Sequence, residues 1–219
     1  MNGIIYAIGG YGGAGAYGVT TVEAYDPSSN TWSTKTAMPT PRHALGVAVA
    51  NGLIYAIGGV HPGCGCGVGT VEAYDPVNDL WTTKTVMPTA RYYLTASAVN
   101  GIIYAIGGNA TGGTYLSTVE AYDPVANTWS TKTSMPTARQ YLTSSVINGI
   151  VYVVGGFAGG TPLATNESYD PVANAWTTRA AMPTLRYGLA SEIVSGAIYA
   201  IGGNNGSGFS TVEEFITPP

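Results

Sequence analysis

At 219 residues the chain is long enough for one substantial domain with a core of its own. Charged residues make up only 9% of it, against the ~25% usual for soluble domains, and the formal net charge of −4 comes with no basic run, which excludes nucleic acid as a partner because phosphate neutralisation needs clustered Lys and Arg. No apolar run approaches the ~20 residues of a membrane-spanning helix, and 31 glycines with 16 tyrosines suit a loop-rich all-β protein.

The chain opens with Met1-Asn2-Gly3, which runs directly into Ile4-Ile5-Tyr6 without the basic region or cleavage site of a secretory leader. The expectation is a cytoplasmic chain, a processed mature form or a fragment. Scarce Lys and loops rich in Gly, Ser, Thr and Tyr favour an extracellular or cell-surface location over a cytoplasmic one. Gly3–Ile8 reads as a strand, and its IYAIGG segment recurs from Ile54, Ile103 and Ile198, with VYVVGG at Val151–Gly156. The second glycines Gly10, Gly59, Gly108, Gly156 and Gly203 lie 49, 49, 48 and 47 residues apart. After each doublet comes a variable loop, then VEAYDP (from Val22, Val71 and Val119) or NESYDP (from Asn166), then Trp32, Trp81, Trp129 or Trp176. MPTxR closes the unit at Arg42, Arg91, Arg139 and Arg186. A period of this length signals a solenoid, an array or a propeller.

Local chemistry selects the propeller. The first strand of a unit follows MPTxR, as in Leu94–Val99. An Asn-Gly pair (Asn51-Gly52, Asn100-Gly101, Asn148-Gly149) then makes a tight hairpin, because both residues tolerate positive φ. The second strand, as in Ile102–Ile106, is apolar on both faces, as expected of a strand between two layers. The third carries VEAY and stops at Asp-Pro, and the fourth runs from Trp towards Met-Pro. No segment has helical periodicity.

These residues resemble the kelch repeat, whose mark is the Gly-Gly doublet followed by spaced Tyr and Trp. The resemblance covers nearly all of the chain and implies four-stranded antiparallel blades around a central channel. The expected architecture is an all-β kelch-type propeller in one domain, 1–219, of about four and a half repeats: 2–50, 51–99, 100–147, 148–194 and a partial 195–219. The chain starts at a second strand and ends after a third strand, Ser210–Phe215, so eighteen strands are counted. That fits no ring of complete blades. Five blades with incomplete terminal blades are expected, and exposed strand edges there predict pairing with another copy into an oligomer or filament. The alternative is a fragment of a longer propeller.

Charge is distributed by the repeat. All eight basic residues and nine of the twelve acids sit at repeat-equivalent positions, so the periodic Glu and Arg read as blade structure, pairing with each other or with turn amides. Asp79, Glu192 and Glu214 are the non-periodic acids; Asp79 reads as a solvated turn residue and Glu214 as a surface one. Glu192 falls in a first strand, where Ala48, Ser97 and Ser145 are its equivalents, and first strands line the channel in the kelch arrangement, so it is the channel candidate. His61, Cys64 and Cys66 form H-x2-C-x-C, three potential soft-metal ligands in a glycine-flexible loop without a fourth. No metal site is expected there, and a free or oxidisable thiol pair is. Kelch-like enzymes of the galactose oxidase type need a Tyr–Cys cofactor and a histidine-bearing copper site; two histidines and two cysteines in one loop do not supply them. No cofactor and no catalytic set is expected.

The variable segments suggest where a partner sits. The loops between second and third strands and the blade linkers emerge at one end of an antiparallel blade. The linkers carry His43, Tyr92, Tyr93, Gln140, Tyr141 and Tyr187 just after each periodic Arg. Aromatics, glycine and hydroxyls at one end match adaptable binding surfaces, and kelch adaptor proteins hold their partners on this face. On that reading Arg42, Arg91, Arg139 and Arg186 add a ring of donors for an acidic or glycan ligand. A protein or glycan partner, or a carbohydrate-active site at the channel mouth, are the expectations that follow.

Overall fold

The computed structural model describes residues 1, 3–13, 17–208 and 210–216. The first blade is the three-stranded sheet β1 (Ile5–Ile8), β2 (Val22–Asp26) and β3 (Thr31–Thr34). The second consists of β4 (Gly46–Ala50), β5 (Leu53–Ile57), β8 (Val71–Asp75) and β9 (Leu80–Thr83), with a small hairpin, β6 (Val60–His61) and β7 (Cys66–Gly67), inserted after β5. The third repeats this plan with β10 (Thr95–Val99), β11 (Ile102–Ile106), β14 (Val119–Asp123) and β15 (Thr128–Lys132), plus the hairpin β12 (Asn109–Ala110) and β13 (Thr114–Tyr115). The fourth comprises β16 (Thr143–Ile147), β17 (Ile150–Val154), β20 (Asn166–Asp170) and β21 (Ala175–Thr178), plus β18 (Phe157–Ala158) and β19 (Thr161–Pro162). The last is the three-stranded sheet β22 (Ala190–Val194), β23 (Ala197–Ile201) and β24 (Val212–Ile216). Every pairing is antiparallel and, with the inserted hairpins set aside, the strands of each blade pair in chain order, so the protein is a five-bladed propeller with three-stranded first and last blades among the described residues.

The hairpins follow from backbone chemistry. Asn51, Asn100 and Asn148 have φ near +50°, each followed by a positive-φ glycine, the pair that two-residue turns need. Ser195-Gly196 does the same in the last blade, although serine gives no comparable signal. The second strands of the three interior blades are buried on both faces: Ile103, Ala105 and Ile106 of β11 are 0% exposed. Core clusters lie between blades and draw their residues from adjacent sheets, as in the set of Tyr55, Ile57, Val71, Ile103 and Tyr122.

Neighbouring blades are also stapled at their outer strands. Trp81, Trp129 and Trp176 each donate their indole N–H to a carbonyl of the preceding blade (Thr36, Thr85 and Thr133), all at 2.9 Å. The amide N–H of the same threonine bonds back to Oδ1 of Asp79, Asn127 or Asn174, again at 2.9 Å. That side-chain oxygen also takes the hydroxyl of Tyr74, Tyr122 or Tyr169. Asp79 is therefore no free turn residue. It occupies, at φ +53°, the left-handed position that asparagine holds in the other blades.

Candidate functional site: the tyrosine-lined mouth

The linkers between blades build this site, and MPTxR is the device that fixes them. In each, the arginine plunges into the next blade and meets the glutamate at the second position of that blade's third strand: Arg42–Glu72 at 2.7 Å, Arg91–Glu120 at 3.1 Å, Arg139–Glu167, and Arg186–Glu213 at 2.6 Å. All four arginine side chains are fully buried. Burial pushes the guanidinium pKa of Arg42, Arg91 and Arg139 down, opposed by the facing glutamate. The motif threonine grips the same carboxylate, Thr40 on Glu72 at 2.7 Å and Thr89 on Glu120 at 2.8 Å. Arg42 also donates to the carbonyls of Gly58 (2.8 Å) and Thr70 (2.9 Å). These arginines are therefore not a ring of ligand donors; the Arg–Glu pairing expected from their periodicity is what they make, and it leaves them no surface to offer.

The Gly-Gly doublet completes the clamp. A Cβ on Gly58 would come within 2.6 Å of the Arg91 carbonyl, and one on Gly59 within 2.7 Å of the His43 carbonyl. One doublet thus receives two successive linkers, which only residues without a Cβ allow. Held this way, His43, Tyr92, Gln140 and Tyr187 bridge to Val60, Asn109, Phe157 and Asn204 at the start of each loop. The residue after each of them turns left-handed: Ala44, Tyr93, Tyr141 and Gly188 have φ between +53° and +61°.

These left-handed residues join the linkers to one another. Tyr93 N–H donates to the Ala44 carbonyl at 2.8 Å, Tyr141 N–H to Tyr93 at 3.0 Å, and Gly188 N–H to Tyr141 at 2.9 Å. The ladder carries the rings with it. Tyr93 and Tyr141 stack with centroids 3.8 Å apart, Tyr92 meets Tyr93 edge-on at 5.0 Å, and Tyr187 lies 5.5 Å from Tyr141 and 5.1 Å from Phe157. His43 belongs to a separate group, 5.5 Å from Tyr11. Gln140, Tyr141, Phe157 and Tyr187 line a hollow of about 270 Å³. Burial, with the hydrogen bond to Tyr93, raises the Tyr141 phenol pKa above its usual value.

Two further site expectations change. Gln140 is 9% exposed, and its carbonyl oxygen accepts from the Asn109 side-chain amide at 2.9 Å, so it supports the hollow more than it faces solvent. Glu192 does not enter the channel. Inner-strand side chains look onto neighbouring blades, where the equivalents Ala48, Ser97 and Ser145 are buried at 6–7% exposure and Ser97 bonds Ser144 of the next blade at 2.7 Å. On β22 the same position faces outward from the last blade, and Glu192 is exposed. It stands in register with Tyr199, which is in register with Glu214.

Cys64 and Cys66 are joined to each other, and no free cysteine remains. Both thiolates that H-x2-C-x-C would offer a metal are consumed, so the weak metal candidates His61, Cys64 and Cys66 form no ligand set. No group of three or more His, Cys, Asp or Glu suited to a metal ion occurs among the described residues. No helix of the described chain is long and apolar enough to cross a membrane.

What the sequence could not show was the one-blade offset, with each arginine serving the next unit's glutamate. Phe157 was not singled out as a lining residue, although the variable loop that it opens was expected on this face, and an aromatic at the start of that loop was the available signal. The Kelch motif family matches residues 1–39, 41–88, 90–136 and 138–183. No curated protein sequence matches the chain. A solved structure titled "Structure of YjhT" superposes with a TM-score of 0.80 at 17% identity, over 93% of this chain and 70% of that one. At that identity the likeness concerns the fold.

Proposed function

This chain belongs to the kelch-motif family, a propeller fold that hosts unrelated activities, and we propose that it is a non-enzymatic binding module whose partner seats on the tyrosine-lined mouth. The observation that carries this reading is the aromatic run Tyr92–Tyr93–Tyr141–Tyr187–Phe157, held in place by a backbone ladder of three hydrogen bonds that joins all four linkers. Rigid aromatic rings bury area at low entropic cost, and Tyr is enriched where interfaces concentrate their energy. Two left-handed tyrosines support the reading, since that backbone disfavours side chains and persists where its surroundings over-determine it.

A protein segment is the first expected partner. A glycan is the alternative, favoured by the small hollow beside Tyr141 and Tyr187. The test is to screen the chain against a glycan array and a displayed peptide library, then measure the best binder with Tyr141→Ala and Tyr187→Ala. The reading expects a loss of about tenfold or more in affinity for each, the range of an interface anchor. Unchanged affinity would remove the mouth from consideration.

A second reading, self-association, has its own support. The outward face of the last blade exposes Val194 (54%), Ile201 (42%) and Val212 (57%), while Ile5 and Trp32 (58% each) are exposed on the first blade. Interior blades meet through faces of these same two kinds, so the last blade of one copy suits the first blade of another, a head-to-tail contact that builds open assemblies. Mass photometry across a concentration series should find multimers that Val194→Lys with Ile201→Lys abolishes; a monomer at every concentration would end this reading. An extracellular setting fits the oxidised Cys64–Cys66 pair, because disulfides persist in oxidising compartments.

A further inference from the structure

The Cys64–Cys66 disulfide has no evident structural task. It closes a ring across a single residue, Gly65, so it removes very little chain entropy from the unfolded state. The hairpin it sits on does not need it. Hairpins β12–β13 and β18–β19 form at the equivalent places in the next two blades without any cysteine. Hairpin β6–β7 has the same backbone support: Val60 pairs with Gly67, and Val68 N–H donates to the Gly59 carbonyl at 2.9 Å. A further tie comes from the next blade, where Thr111 Oγ1 accepts the Gly67 N–H at 2.9 Å.

The two sulfurs are unlike. Cys64 is exposed and Cys66 half-buried. The Cys66 N–H points at Cys64 Sγ, 3.3 Å away, and a backbone donor there favours a thiolate on Cys64 once the bond opens. The hairpin also touches the binding face: a Cβ on Gly67 would come within 2.9 Å of the Tyr92 ring.

From this we infer that Cys64–Cys66 is a thiol–disulfide exchange site for a free thiol, placed at the rim of the tyrosine-lined mouth, with Cys64 the sulfur that engages the thiol and Cys66 the one that resolves it. A thiolate attacks Cys64 Sγ, the Cys64–Cys66 bond breaks, and its electron pair leaves on Cys66 Sγ, which takes up a proton. A second thiolate attacks the outer sulfur of the mixed disulfide and releases Cys64 as the thiolate. Two thiols are oxidised to one disulfide, and the protein disulfide is reduced to a dithiol; the reverse runs with an external disulfide. Exposed disulfides that carry little structural load are the labile class.

The test uses the full chain in buffers of reduced and oxidised glutathione without denaturant, with acid quench, alkylation and intact mass. The site predicts reversible interconversion of disulfide and dithiol in both directions, with an unchanged circular dichroism spectrum. Cys66→Ser should accumulate a glutathione adduct at Cys64, and Cys64→Ser about tenfold less at Cys66, following the difference in exposure and thiolate stabilisation. A disulfide that opens only after denaturant is added, or equal adducts on the two variants, would overturn the assignment.

Discussion

Each linker has two halves that meet at one peptide bond and behave oppositely. The first half, Met-Pro-Thr-x-Arg, repeats in four linkers, is buried at Met and Arg, and makes the same ion pair each time. The second half reads His43-Ala44, Tyr92-Tyr93, Gln140-Tyr141 and Tyr187-Gly188, on the same backbone with different side chains. Repeated residues there serve the blade, and on the proposed reading the varied residues shape the surface that meets the partner. The difference is physical: a buried arginine tolerates one environment, whereas a half-exposed position on a fixed backbone tolerates many.

The hardest way to break the comparison is at the ion pair. Arg139→Ala leaves Glu167 buried without its cation and should cost about 3–5 kcal/mol in chemical denaturation. A loss below 1 kcal/mol would mean that the repeated half is not what holds the linker. Gly58→Ala comes next. Its φ is +64° and its new Cβ would sit 2.6 Å from the Arg91 carbonyl, so about 1–3 kcal/mol should be lost, with the linker displaced.

Alkali tests the tyrosines that belong to the repeat. Burial, with a smaller contribution from a neighbouring tyrosine, pushes the phenols of Tyr122 and Tyr169 up to about 12. A raised folded pKa gives stability that is complete below the unfolded value near 10 and is lost as pH rises through 12. Phenolate absorbance from these residues should therefore rise together with loss of the folded circular dichroism signal. Ionisation at pH 10 in a still-folded protein would contradict their placement.

A gentler probe is Asp79. Its carboxyl is held below the usual range by the Tyr74 hydroxyl, then by the Thr36 amide. A depressed carboxyl pKa gives stability present above the unfolded value of 3.8 and lost as pH falls through the folded one. Asp79→Asn copies the other blades, so it should be neutral at pH 7 and should flatten the acid limb of the stability curve. Asp79→Ala should weaken the fold at pH 7.

This position also shows how far the sequence could be read. The Asn-Gly hairpins, the eighteen blade strands and the mouth tyrosines were legible, because turn chemistry, two-sided apolar strands and variability against a strict repeat are local signals. Asp79 looked non-periodic because its equivalents are asparagines, and only a shared left-handed backbone and shared bonds to Tyr and Thr reveal the match. The arginines' burial was hidden by the offset between repeats, since every unit holds both Arg and Glu and spacing alone does not say which pair. Glu192 was misplaced for a geometric reason: the inner strand borders the channel with its edge, while its side chains look sideways at other blades.

The smallest stability effect is expected in the varied half. Tyr93→Gly gives the second linker the residue that the fourth linker carries as Gly188, and removes the ring while accommodating φ +53°. Stability should change by no more than about 1 kcal/mol, the scale of one aromatic pair. The most direct measurement of the central claim is protein-observed NMR on the 22.5 kDa chain, titrated with a panel of monosaccharides, short oligosaccharides and aromatic tripeptides. The account predicts that amide shifts caused by binding members cluster at 92–93, 140–141, 157 and 187, and that Tyr93→Gly weakens them with the fold intact. Shifts that cluster instead at the Asp-Pro turns near Asp26, Asp75 and Asp123 would contradict it.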